Sequence, residues 1–194
     1  RIVRSGAWDS WSPAFMVGKQ VTGARLGIIG MGRVGRALAV KARGFDMKVH
    51  YFNRTALSED DAKGAIYHDT LESLLCVADF LSLHCPATAE TTNLMNKERF
   101  NLLPKGAVIV NSARGALIDE AALMRALDAR QISAAGLDCF AIEPGGNPGF
   151  SSYDNIFMLP HIGSATKQTR DAMGFRALDN LDVFFAGQKP RDTL

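Results

Sequence analysis

Residues 27–35 read "GIIGMGRVG", and the spacing of their glycines decides the fold. Gly30, Gly32 and Gly35 make G-x-G-x-x-G between an apolar run, "RLGIIG" (25–30), and an amphipathic stretch, "RVGRALAVKARGF" (33–45). That pattern predicts a buried strand entering a helix. Val34, Leu38 and Ala42 fall on one helical face, and Gly44 is the expected stop. In a strand–turn–helix setting each glycine has a task. Gly30 permits the tight turn, Gly32 lets backbone approach a pyrophosphate, and Gly35 lets the helix pack on the sheet. The first-turn N–H groups, with Arg33 and Val34 among them, then face an anion. Three glycines without that setting would mark only a plain strand–helix turn.

Outward from this motif, strands and helices alternate. "MKVHYFN" (47–53), "DFLSLHC" (79–85), "AVIVNSA" (107–113), "ISAAGLDCF" (132–140) and "NIFMLPH" (155–161) read as strands. The apolar centre of 107–113 predicts burial on both faces. "DTLESLLCVA" (69–78), capped by Asp69 or Thr70, and "DEAALMRALDAR" (119–130) read as helices. A long helix is expected over 164–187, with Met173, Ala177, Leu178, Leu181 and Phe185 along one side and Gly187 at its end. "EPGGNPGF" (143–150) is a loop rather than a linker, because a strand follows it. Alternation of this kind implies right-handed βαβ crossovers. The predicted fold is α/β: a Rossmann-like, doubly wound parallel sheet with helices on both faces.

Bulk composition agrees with one sizeable domain spanning 1–194. Hydrophobic residues make up 47% and charged residues 22% of the 194. A net charge of +2 is too small to argue for a nucleic-acid or membrane-surface partner. No apolar run approaches the roughly 20 residues that span a bilayer. Cys76, Cys85 and Cys139 form no C-x-x-C pair; buried free thiols and a cytoplasmic location are expected. Residues 1–20 carry no periodic pattern, but Trp8 and Trp11 suit either an interface anchor or packing within the chain.

At the end of the second strand a nucleotide fold usually places a carboxylate that holds the adenosine 2′-hydroxyl. This chain has Asn53, Arg54 and Thr55 there, and Asn53 lies 23 residues beyond Gly30. Arg54 can form a charge-assisted bond to a 2′-phosphate, and its two neighbours can add neutral hydrogen bonds. The physical expectation is NADP(H) over NAD(H). The alternatives are that Arg54 is solvated, or that it stacks on adenine while NAD binds.

Three further stretches each follow an apolar strand: "VNSARGALIDE", "GLDCFAIEP" and "LPHIGSAT". Ligands of open α/β sheets gather beyond the carboxyl ends of strands, so Arg114, Glu143 and His161 can converge. Arginine is a permanent cation whose fork matches a carboxylate. Histidine exchanges protons near neutral pH, and a carboxylate beside it stabilises the imidazolium. Beside a nicotinamide, that set suits reduction of a 2-oxo acid. Singly, Arg114 would be a capping or surface arginine, Glu143 a turn residue before Pro144, and His161 a strand-end histidine.

From about Gly18 onward these motifs, with "LHCPATAETTNLMN" (83–96), resemble the cofactor-binding domain of the D-isomer-specific 2-hydroxyacid dehydrogenase family. The resemblance implies that Arg114 binds the substrate carboxylate, Glu143 pairs with the histidine, and His161 is the general acid/base. It implies that Asp138 contacts the nicotinamide amide and that Cys85 and Pro86 line the adenine side. Ser112, Ala113 and Gly163 would give nicotinamide-side backbone contacts, and no metal is implied. Asn53-Arg54-Thr55 is similar to the NADPH-preferring glyoxylate/hydroxypyruvate reductases of this family. Phosphoglycerate- or formate-type dehydrogenases, and a non-enzymatic NAD(P)-sensing corepressor-like module, are the alternatives. The family's smaller substrate domain has no counterpart in this chain, so the chain alone is expected to turn over poorly. Residues 1–20 would then be a dimerisation arm of a homodimer or an inter-domain segment, and helix 164–187 would pack toward the substrate domain.

Overall fold

The structure is a computed structural model and describes residues 2–193. After a short exposed helix α1 (Ile2–Ser5), the chain runs β1 (Arg25–Ile29), α2 (Arg33–Arg43), β2 (Lys48–Phe52), α3 (Glu59–Ala62), β3 (Ile66–Tyr67) and α4 (Leu71–Leu75). It continues β4 (Phe80–Leu83), α5 (Lys97–Leu102), β5 (Ala107–Asn111), α6 (Glu120–Asp128), β6 (Ile132–Leu137), β7 (Ile156–Met158) and α7 (Lys167–Phe185). The sheet order is β3-β2-β1-β4-β5-β6-β7, and every pairing is parallel. This is the expected doubly wound α/β sheet, with its order reversing beside β1.

The strands hold two apolar clusters, one on each face. Ile29, Leu81, Leu83, Ile109 and Leu137 pack with α4, α5 and α6. Leu26, Ile28, Val49 and Tyr51 pack with Ala39 and Ala42 of α2. Each fully buried Leu, Ile or Phe in these clusters stabilises the fold by about 1.5–3 kcal/mol relative to exposure. The α2 stripe is therefore Gly35, Ala39 and Ala42, not the predicted Val34, Leu38 and Ala42; Leu38 is half-buried and Val34 is 66% exposed. Small residues win that face because the helix lies close to the strand: a Cβ on Gly35 would stand 2.8 Å from the Gly30 carbonyl oxygen. Gly44 does close α2, but in right-handed geometry (φ −64°); the left-handed residue of the turn is Asp46 (φ +57°).

Coverage is uneven across the sheet. Tyr51, Ile28, Ser82, Val110, Gly136 and Phe157 form one row in register across β2 to β7. Its first three members are buried, but Val110 is 38% and Phe157 69% exposed. Burial of β5 on both faces is thus corrected, since the cluster built on α2 reaches on this side to β2, β1 and Phe80 of β4 and holds no residue of β5. α7 has no buried residue, and Met173, Leu178, Leu181 and Phe185 on its predicted apolar side are exposed. Trp8 and Trp11 are 54% and 75% exposed, so neither is packed into the core. Cys139 is buried, Cys85 partly so, and Cys76, expected inside, is exposed just past the short α4.

Thr70, not Asp69, caps α4 by accepting from Ser73 N–H. α3, α5 and the two-residue β3 have no counterpart in the predicted elements. α3 and α5 have four and six residues, short of the roughly 11 over which helical periodicity is read, and β3 has two, short of the roughly four that strand alternation needs.

The β2–β3 edge is tied by a histidine chain. His50 Nδ1 lies 2.9 Å from His68 Nε2, and His68 Nδ1 lies 3.0 Å from Ser73 Oγ, which donates to the Thr70 carbonyl. Ser73 Oγ then accepts from His68 Nδ1–H, and when His68 is neutral its Nε2 accepts from His50 Nδ1–H. Burial lowers the pKa of both rings; the His68 ring, Arg25 and Lys48 add to this at His50 against Asp79, and Asp69 opposes it at His68. His84 is lowered by burial too. Below the reference value of about 6.5 the unfolded chain therefore binds more protons than the folded one, so stability is full above it and lost as pH falls. Asp79, held at about 2 chiefly by its hydrogen bond from Arg25, titrates well below this window. The thermal midpoint should fall from about pH 7 to about pH 5, and His68→Gln should flatten that slope; an unchanged slope in the variant contradicts the assignment.

Candidate active site

Because the sheet is parallel, every strand ends on the same edge, and the loops after β1, β2, β4, β5, β6 and β7 meet there. The first is the glycine turn. Gly30 has φ +88°, and a Cβ on it would stand 2.5 Å from the Cys85 backbone nitrogen. Only glycine lets the β1 and β4 ends come this close. Gly32 differs, since a Cβ there would meet nothing within 4 Å. Its backbone therefore faces open space, as approach by a ligand requires.

The helix starts make the same point. α3, α4, α5, α6 and α7 are capped by the side chains of Ser58, Thr70, Asn96, Asp119 and Thr166. α2 begins at Gly32 with no side-chain cap, leaving the N–H groups of Arg33, Val34 and Gly35 for an external acceptor. A helix of this length with free first-turn donors favours a phosphate. Beside it lies a cavity of about 710 Å³, bordered by Gly30 and Gly32, by Asn53, Arg54 and Thr55, by Cys85 and Pro86, and by the loop from Thr88 to Leu94. The adenosine-side residues expected from sequence are thus brought together. The fit to a dinucleotide rests on the uncapped helix and the open space over Gly32.

Asn53 has a duty that sequence did not suggest. Its Oδ1 accepts from Met31 N–H at 2.7 Å and so latches the glycine turn to the end of β2. Its amide nitrogen is the part left for a ligand. Arg54 is exposed, and its field acts on Glu90 across the cavity, whose carboxyl is held low mainly by the Thr88 hydroxyl. Burial raises the Cys85 thiol pKa, and burial with the charges of Glu143 and Asp138 lifts Cys139 to about 11; neither is poised as a nucleophile.

The second group stands beyond β5, β6 and β7. His161 Nδ1 and Glu143 Oε2 are 2.6 Å apart. The His161 hydrogen bond holds the Glu143 carboxyl below its usual range, with Phe140 N–H, donating to Oε1 at 2.7 Å, as the next cause. His161 itself sits in left-handed backbone (φ +52°). Asp138 maintains that turn: its two oxygens accept from Ile162 N–H and Gly163 N–H, each at 2.7 Å. The carboxylate assigned to a nicotinamide contact is therefore also the anchor of the histidine loop, with lone pairs left over.

Arg114 follows β5. The buried Asn111 donates to the Arg114 carbonyl and accepts from Ala113 N–H, fixing the Ser112–Arg114 turn. The Arg114 guanidinium folds onto the Ala113 carbonyl at 2.6 Å, and its charge helps lower Glu143. Its turn is pressed against the glutamate loop: a Cβ on Gly115 would stand 1.9 Å from the Phe140 carbonyl carbon. Arg114, Glu143 and His161 thus share one edge, and the ring-to-carboxylate pair is already formed. Asn111, Asp138 and Glu120, whose carboxylate accepts from Ala141 N–H, are the supports that sequence reading did not identify as such. Among the described residues no three His, Cys, Asp or Glu side chains gather to hold a metal, and no helix is long and apolar enough to cross a membrane.

Comparison with known proteins gives this site its context. Residues 1–163 match the family described as D-isomer specific 2-hydroxyacid dehydrogenase, NAD binding domain. The chain is 42% identical over 189 residues to a glycerate dehydrogenase of Hyphomicrobium methylovorum, covering 96% of this chain and 59% of that protein. It is 40% identical over 194 residues to a glyoxylate reductase of Pyrococcus furiosus, covering 98% and 58%. Among solved structures it is similar to an NADPH-dependent glyoxylate/hydroxypyruvate reductase of Sinorhizobium meliloti in complex with NADP and malonate. There the TM-score is 0.87 at 32% identity, with 100% of this chain and 60% of the other covered. The chain therefore spans rather less than two thirds of the length of these relatives. Its sheet, glycine turn and strand-end loops make it the NAD binding domain of a protein of the D-isomer-specific 2-hydroxyacid dehydrogenase family.

Proposed function

We propose that the protein containing this chain reduces a small 2-oxo acid, glyoxylate or hydroxypyruvate, to the D-2-hydroxy acid with NADPH. The observation that carries this reading is the His161–Glu143 contact of 2.6 Å on the edge that also holds Arg114. Reduced nicotinamide, when bound, supplies the hydride. The chain's own groups do the rest. Arg114, a permanent cation, binds the substrate carboxylate and polarises the carbonyl. His161 delivers a proton to the oxygen as charge develops on it. Glu143, held below the usual carboxylate range by that ring, stays ionised at neutral pH and stabilises the imidazolium.

The cofactor choice rests on Arg54. No carboxylate stands at the end of β2 to repel a 2′-phosphate, and an exposed guanidinium lines the cavity there. The Sinorhizobium reductase, described as NADPH-dependent, supports the same reading. The latch from Asn53 to Met31 leaves most of the phosphate recognition to Arg54 and Thr55. The exposed Trp8 and Trp11, and the open side of α7, are where we place a homodimer contact and the contact with the remainder of the relatives' chain.

On titration by fluorescence, this chain should bind NADPH about tenfold tighter than NADH, and Arg54→Ala should abolish that preference. Equal affinities in the parent chain would reverse the cofactor reading. In the full-length protein, His161→Ala should lower turnover with glyoxylate or hydroxypyruvate by about 10²–10⁴-fold while NADPH still binds. Arg114→Ala should raise KM for the acid as well. Near-parental turnover in either variant would remove its assigned role, and this chain alone should turn over poorly. Sedimentation of the full-length protein should give a dimer; a monomer at micromolar concentration would count against the contact placed on Trp8 and Trp11.

A further inference from the structure

Glu143 stands on a loop, residues 138–147, that leaves β6 and enters the 3-10 turn Pro148–Ser152. Residues 141–145 are exposed, and Gly145 and Gly146 have φ of +121° and +74°. Such a segment is free to drift unless something holds it. We propose that Glu120 is the positioning residue that holds it, and with it the acid/base pair. This rests on the reductase reading above.

Glu120 is the first residue of α6, a helix whose Ala122, Leu123, Ala126 and Leu127 are buried in the core. Its Oε1 accepts from Ala141 N–H and its Oε2 from Asn147 Nδ2–H, both at 2.9 Å. Ala141 and Asn147 lie on either side of Glu143, so one rigid carboxylate pins the loop at two points around the catalytic glutamate. Asn147 is itself fixed, because its Oδ1 accepts from Gly149 N–H at 2.9 Å. Next to the first tie, Phe140 N–H donates to Glu143 Oε1, and Glu143 Oε2 meets His161. The line of support therefore runs from the α6 core to Glu120, to the loop backbone, to Glu143, and to the ring that gives up the proton. Asp119, one residue earlier, is already occupied in capping α6, so the two adjacent carboxylates divide the helix start and the loop between them.

The test compares Glu120→Ala, Glu120→Gln and Asn147→Ala with the parent in the full-length protein. Displacement of a catalytic group by about 1 Å can lower turnover on the order of 10²-fold. Glu120→Ala should lower kcat about 10–100-fold, with KM for glyoxylate or hydroxypyruvate and NADPH affinity changed by less than about threefold. Glu120→Gln keeps a carbonyl acceptor for Ala141 N–H and should recover part of that loss. In this chain alone, the Phe140 amide of Glu120→Ala should exchange with deuterium faster than in the parent, a readout that needs no turnover. Parental kcat in Glu120→Ala at a temperature where it stays folded overturns the proposal, as does unchanged exchange at Phe140. If Glu120→Ala does not fold, Asn147→Ala is read by the same two criteria. Loss of activity in His161→Ala together with parental kcat in Glu120→Ala discards Glu120 and leaves the reductase reading standing.

Discussion

The parallel direction of all seven strands is the constraint on which the rest depends. It sends every crossover across a face of the sheet and every strand end to one edge. Six loops must then share that edge, and their backbones come close enough that side chains are excluded at two points. Gly30 lies against Cys85, and Gly115 lies against Phe140. The first contact shapes the nucleotide turn. The second presses the Arg114 turn onto the loop that carries Glu143. Each of these glycines sets the distance between two of the strand-end loops.

Electrostatics follows from the same geometry. The N–H groups at the start of α2 have no capping side chain, whereas in each of five other helices a side chain accepts from one of them. Against these five capped starts, the bare start of α2 suits an anion. The acidic side chains are divided in a similar way. Asp138 is turned inward to hold the histidine loop, and Glu143 is turned outward to face the ring. Two carboxylates of one loop thus serve the backbone of the histidine turn and the ring of His161 separately.

Much of this was legible in the sequence, and what was not has physical causes. Long periodic segments and the glycine spacing carried the sheet, its helices and its carboxyl edge. That Arg114, Glu143 and His161 would stand on one edge was legible because each follows a strand. Val34 misled because an apolar residue in the first turn counts toward a helical stripe, although close approach to the sheet selects Gly35, Ala39 and Ala42. Val110 misled because a β-branched run reads as buried on both sides, whereas burial depends on what lies over a face. Asn53 sits at the ribose position but spends its oxygen on Met31 N–H, a contact between loops that no spacing rule encodes. Asn111 and Glu120 escaped for the same reason: their partners are backbone groups of other loops.

The exposure of the His161–Glu143 pair bears on how strong it can be. The His161 and Glu143 side chains are 51% and 33% accessible to solvent. A pair so wet is worth about 0–1 kcal/mol, because water screens the attraction and competes for both partners. The same two groups under a cover of low dielectric attract several times more strongly. Arg114 shows the complementary state, with its guanidinium spending a hydrogen bond on its own neighbour's carbonyl. A carboxylate ligand offers a charge-assisted, bidentate alternative to that neutral contact. The strength of this site is therefore latent in the domain. Its loops fix the positions of the charges, and exclusion of water above them determines how far those charges act.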